Sequence, residues 1–215
     1  MIEDFNLLLT IGFSSYYVPL TLAGYLFIIS KRLTMFDRLL FFFVFYNAVI
    51  VLVEQFFLEG KINNYNPIYN IQTIVDCCVI ILLFSIILKD FNPKIKKQFN
   101  YLILLYVLIS ISELLFINDL FSINLYANNL SKFLIIIIAS FTIYHTEIKL
   151  KTTSSQKIFT YSTLFYTVVT LPIALFEQYI RLHSDDYFFI IWSLNVIFTI
   201  LYNLSLTLAL WKLKK

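Results

Sequence analysis

Long apolar runs alternate with short polar connections along this chain. Seven runs reach membrane-spanning length or close to it: roughly Asn6 to Ser30, Leu39 to Leu58, Ile68 to Leu88, Tyr101 to Ile117, Leu125 to Tyr144, Ile158 to Ile180 and Tyr187 to Trp211. A spanning helix needs about 20 mostly apolar residues, because hydrocarbon offers backbone N–H and C=O groups no partner outside the segment. The pattern therefore predicts an all-α, polytopic membrane helix bundle, a single domain over residues 1–215, with the fourth span the shortest. The connections carry turn residues such as Asn63-Asn64, Asn66-Pro67 and Asn92-Pro93, and none could hold a separate soluble domain. Pro19 and Pro172 fall inside runs, where each removes a backbone donor and predicts a kink, either a packing bend or a hinge beside a cavity.

Composition supports lipid as the solvent. With 60% hydrophobic residues, 13% charged and a mean hydropathy of +0.83, the chain lacks the polar surface a soluble domain needs. The charges it has are placed with a bias. If the N-terminus is outside, the inner segments hold Lys31, Arg32, Arg38, Lys89, Lys94, Lys96, Lys97, Lys149, Lys151, Lys157, Lys212, Lys214 and Lys215, and the outer ones only Lys61 and Arg181. Cytoplasmic loops retain Lys and Arg, so the expected topology is N-out and C-in across the plasma (inner) membrane. The acidic start, Met1-Ile2-Glu3-Asp4, is unlike the basic opening of a secretory signal, so the first run is expected to be a retained helix. The net charge of +3 is spread over separate loops, which points to no nucleic acid partner.

Ionisable groups inside a span cost several kcal/mol unless they pair or reach water, and so mark function by default. Glu54, Asp76, Glu113, Lys132 and Glu177 lie within or near the spans, all in the expected outer half, with Asn195 at a matching place in the last one. The run Val53-Glu54-Gln55-Phe56-Phe57 echoes Phe176-Glu177-Gln178-Tyr179-Ile180, and Ser112-Glu113-Leu114-Leu115-Phe116 stands at the corresponding position between them. One reading is a lead helix followed by three similar outward hairpins around a polar, outward-facing cavity, with Lys132 as counter-charge and Asp76 deeper. Such a site could hold a small cationic or zwitterionic ligand, or pass protons or cations. The other reading is structural: glutamates at helix ends snorkel to headgroups, and Asp76 pairs with Lys132 to fix helix packing.

Other polar positions point to packing. Asn47, Asn195, Asn203, Ser140, Thr199 and Ser205 suit interhelical hydrogen bonds. Adjacent Cys77 and Cys78 project about 100° apart on a helix and suit packing more than a disulfide or metal cluster. His145 and His183 lack partners at metal-ligand spacing. No nucleophile elbow, zinc signature or phosphate-binding glycine loop is present, so neither an enzyme nor a cofactor is expected.

Seven helices with an outer N-terminus is the layout of rhodopsins, of G-protein-coupled receptors and of the SWEET sugar transporters, but layout alone transfers no function. The last run lacks the central lysine a microbial rhodopsin needs, and the SWEET Pro-Gln pair is absent. The run containing Glu54, Gly60, Asn63, Asn64, Pro67, Tyr69, Asn70, Thr73 and Asp76 resembles that of seven-helix integral membrane proteins of AT-rich bacteria with no assigned activity. That resemblance implies a fold and a set of positions. The leading expectation is a receptor-like or sensory protein that binds a small ligand from the outer face and acts through a protein partner at its basic cytoplasmic face. The alternatives are a small transporter or homo-oligomeric, membrane-perturbing pore, and a scaffold subunit of a membrane complex.

Overall fold

Among the described residues eight α-helices follow one another, and from the second run on their boundaries follow the apolar runs. They are α1 (Ile2–Ser15), α2 (Tyr17–Ile29), α3 (Met35–Glu59), α4 (Asn66–Leu88), α5 (Lys94–Phe116), α6 (Leu125–Ile148), α7 (Ser154–His183) and α8 (Asp185–Trp211), with a short 3-10 turn at Lys212–Lys214. The structure, a computed structural model, describes residues 2–29, 33–59, 66–89, 91, 94–117, 125–148, 152–183 and 185–214. The side chains of 2–6, 9, 27–29, 56–59, 177–183, 185–189 and 214 lie outside the described set. Among the described residues six helices, α3 to α8, are long and apolar enough to cross a membrane.

The first expected span is not one helix. It breaks at Tyr16 into pieces of 14 and 13 residues, each short of the length a crossing needs. Pro19 supplies the cause: it has no N–H for the carbonyl of Ser15, and its ring crowds that same turn. Tyr16 N–H bonds instead to the carbonyl of Phe13 at 3.2 Å, a tighter turn that ends α1. Pro172, by contrast, sits inside a continuous α7.

The fourth span is longer than its apolar run. Helix α5 begins at Lys94, and Lys94, Lys96 and Lys97 extend it outward with exposed side chains. Two helix starts are fixed by reciprocal caps. At α3, Thr34 N–H donates to Asp37 Oδ2 (2.8 Å) and Asp37 N–H to Thr34 Oγ1 (3.3 Å). At α7, Thr153 N–H donates to Gln156 Oε1 (3.0 Å) and Gln156 N–H to Thr153 Oγ1 (3.2 Å), the same capping box with an amide in place of the carboxylate.

The helices close into a ring. The broken α1/α2 packs on α8 and α3, α3 on α4, α4 on α6, α6 on α7, and α7 on α8. Helix α5 stands outside this ring against α4 and α6, and it buries the smallest share of its apolar window. The three hairpins α3/α4, α5/α6 and α7/α8 are therefore not equivalent in position, although their sequences echo one another. Where α1 meets α8 the backbones come close: a Cβ added at Gly12 would lie 2.6 Å from Val196 Cγ1. Small residues permit such approach between membrane helices.

Side-chain hydrogen bonds cross every seam of the ring. Asn203 Nδ2 donates to Ser15 Oγ (2.8 Å, α8 to α1), and Tyr17 OH to Gln55 Oε1 (3.1 Å, α2 to α3). Asn47 joins α3 to α4, Asn128 Nδ2 donates to Tyr69 OH (3.2 Å, α6 to α4), and Lys132 Nζ donates to Thr170 Oγ1 (3.0 Å, α6 to α7). Thr163 Oγ1 and Tyr202 OH, 3.2 Å apart, close α7 on α8, where Tyr166 and Tyr202 stack with centroids 4.6 Å apart.

Along the ring axis the interior divides in two. Toward the Met35, Leu88, Ser154 and Trp211 ends it is filled by Phe36, Leu40, Phe84, Leu88, Phe159 and Leu210, all essentially inaccessible. Phe159 is the centre of this plug, meeting Phe36 edge-on at 5.8 Å and Phe84 at 5.5 Å. Arg38, Lys89, Lys94, Lys96, Lys97, Lys157 and Lys212 cluster at the same end of the molecule. The remaining length of the interior mixes polar and apolar side chains and holds a cavity.

Candidate functional site

The cavity has a volume of about 530 Å³ and takes walls from α1/α2, α3, α4, α6, α7 and α8, with none from α5. Four of these walls carry a polar stripe at helical spacing, while α1/α2 and α3 are lined mostly by apolar side chains such as Phe13, Phe43, Val44 and Val51. On α4 it is Tyr69, Gln72, Thr73 and Asp76; on α6, Asn128, Ser131 and Lys132; on α7, Thr163, Tyr166, Thr167 and Thr170; on α8, Asn195, Thr199, Tyr202 and Asn203. Residues three and four apart share a helix face. Outward-facing positions on the same helices are Phe165, Val168, Leu175, Leu194, Leu201 and Leu208, all exposed. The usual amphipathic pattern is thus inverted, as lipid outside and polarity inside require.

Asn47 on α3 organises the deepest charge. Its Nδ2 donates to Asp76 Oδ1 (3.1 Å) and to the carbonyl of Phe43 (3.0 Å), and its Oδ1 accepts from Gln72 Nε2 (3.1 Å). Gln72 and Asp76 are one turn apart on α4, so one amide reads both. Asp76 stands roughly 15 Å along α4 from Asn66 at 1.5 Å per residue, near the helix centre. Lys132 stands roughly 10 Å along α6 from Leu125, bonded to Thr170 and 5.9 Å from the centroid of the Tyr166 ring. Neither contact is the direct carboxylate–ammonium pair that the sequence also allowed.

Of the residues singled out from sequence, Glu54, Asp76, Lys132 and Asn195 line this one cavity. Glu113 does not. It lies on the outlying α5, is only 2% exposed, and its two oxygens accept the backbone N–H groups of Tyr126 (2.9 Å) and Ala127 (2.7 Å). Those are first-turn donors of α6 that no intrahelical carbonyl can satisfy, so the carboxylate caps a neighbouring helix from the side. The side chains of Glu177 and His183 fall outside the described residues. Asn47, Asn203 and Thr199 make the interhelical bonds expected of them, to α4, α1 and Tyr166 respectively. Ser205 instead bonds the Leu201 carbonyl of its own helix, and Ser140 is exposed.

The pattern of charges does not point to the aromatic residues of the wall, Tyr16, Tyr166, Tyr202 and Trp192, while Tyr69 stands in the Glu54–Asp76 run noted above. Tyr16 reaches the cavity from the break between α1 and α2, next to Pro19. The threonines of α7 were legible by spacing, since Thr160, Thr163, Thr167 and Thr170 repeat every three or four residues and all are buried. Cys77 also lines the cavity, and both cysteines are free thiols. His145 packs in an aromatic nest, 4.0 Å from Phe91 and 4.2 Å from Phe141 between ring centroids. Among the described residues no group of three or more His, Cys, Asp or Glu side chains could hold a metal ion.

The fold is that of a multi-pass membrane helix bundle. No protein-family model, curated protein or solved structure matches the chain. Its site is therefore read from its own chemistry.

Proposed function

We propose that this protein is a receptor-like integral membrane protein that binds a small polar ligand in the ring cavity. The chain enters the plasma membrane with its N-terminus outside and its C-terminus in the cytoplasm, so the cavity faces outward. The Lys and Arg distribution supports this orientation, since the plugged end of the ring is also the basic end. A volume of about 530 Å³ is within the range of small-molecule pockets.

The observation that carries the reading is that the cavity lining stops short of the packed Phe36–Phe84–Phe159 rings. A continuous pathway for ions or solutes requires polar lining at both ends, and a plug of tightly packed aromatic rings is a barrier that water and charge do not enter. A pocket closed on one side suits binding followed by a shift in helix packing, read by a protein partner at the exposed Lys94, Lys96 and Lys97.

Reconstitution into liposomes tests this. The expected outcome is ligand-induced protection from hydrogen exchange in α3, α4, α7 and α8 with no transmembrane flux of the same small amines and amino acids. Sustained solute flux that falls in Glu54→Gln would establish the transporter reading instead.

A further inference from the structure

Among the described residues, the charges that line the cavity are unbalanced. Glu54 and Asp76 bring two carboxylates, and Lys132 brings one ammonium. The ammonium is already engaged, by the Thr170 hydroxyl at 3.0 Å and the face of Tyr166. Asp76 accepts the Asn47 amide. Glu54 is half-buried in the wall and, among the described residues, has no hydrogen-bond or ion-pair partner. A charge withdrawn from water is stable only when it is paired and hydrogen-bonded, so an ionised Glu54 calls for a cation in the cavity.

That cation is organic. A hard metal ion needs about six or more oxygens converging at 2.3–2.6 Å, usually with several carboxylates among them, and the described residues bring no group of three or more His, Cys, Asp or Glu side chains together. The cavity is also far larger than an ion. Its lining also includes Tyr16, Tyr69, Tyr202 and Trp192, beside aliphatic side chains such as Val51, Ile80 and Ile173. Ring faces attract an alkylammonium and accept an apolar body without leaving any polar group unmet. An anion would face two carboxylates. A zwitterion would leave the imbalance as it was.

We infer that the cavity recognises a small organic monocation, an alkyl- or arylalkyl-ammonium whose charged head meets Glu54 and whose body lies among the tyrosines. This rests on the one-sided binding reading above and names its ligand class. Asp76, fixed by Asn47, then sets the depth of the cationic end and Lys132 repels a second one.

Trp192 reports directly on occupancy. The chain has two tryptophans, and Trp211→Phe leaves Trp192 as the sole emitter. Titrate this protein in lipid nanodiscs with 2-phenylethylamine, with the anion 3-phenylpropionate and with the neutral 3-phenylpropanol. The expected result is a saturable emission change with the amine and a far weaker one with the other two. Glu54→Gln should raise the amine Kd about tenfold or more, as loss of a buried charge partner does, while Glu54→Asp keeps the preference. Equal affinity for the propionate or propanol overturns the cation and leaves the pocket standing, and so does unchanged amine binding in Glu54→Gln. No saturable response to any of the three removes both.

Discussion

Asn47 shows how a single amide can settle a membrane site. Its donor side binds Asp76 and its acceptor side binds Gln72, so it aligns two α4 groups with one α3 residue. Glu113 settles something different, the start of α6. Its sequence context is almost that of Glu54, an acid near the end of an apolar run, and nothing local distinguishes the two. Their roles diverge because α3 is in the ring and α5 is outside it. Replacement separates them: Glu113→Ala strands the Tyr126 and Ala127 N–H groups and should cost roughly 2 kcal/mol of stability. The check is thermal unfolding in nanodiscs, with the 2-phenylethylamine Kd expected to stay within about twofold of the parent. A marked loss of amine affinity would assign Glu113 to the pocket.

At the scale of helices, hydropathy and length found the six long apolar helices α3 to α8 and counted the broken α1/α2 as a seventh, because a bilayer imposes both length and apolarity. They could not place α5, since a helix outside the ring and one within it must both be about 20 residues long and apolar on their lipid side. The break at Tyr16 was partly legible: Pro19 predicts a kink, but the chemistry places the interruption a turn earlier, at the carbonyl the proline cannot serve. It also turns a tyrosine into the cavity that apolar patterning counts as ordinary. Pro19→Ala restores a donor for the Ser15 carbonyl. The expected outcome is slower amide hydrogen exchange across residues 16–20 as α1 and α2 join, and unaltered exchange would mean the break has another cause.

For the molecule as a whole, polarity is sorted along one axis and hydrophobicity radially. Lipid-facing positions such as Leu104, Leu108, Phe165 and Leu208 are exposed and apolar, while the ring interior passes from a hydroxyl-, amide- and tyrosine-lined cavity to an aromatic plug. The charges of the sequence pointed to the site because they are expensive in lipid, and four of the six proposed residues share one cavity. The tyrosines and threonines that complete it are cheap in a membrane and carried no comparable signal. Sidedness is the claim on which the functional reading turns, and cysteine accessibility tests it. Place Asn195→Cys in a Cys77→Ser, Cys78→Ser background and treat intact cells with a membrane-impermeant, positively charged thiosulfonate. The account expects rapid labelling from outside and little in inside-out vesicles, whereas labelling only from the inside, or equally from both faces, would contradict it.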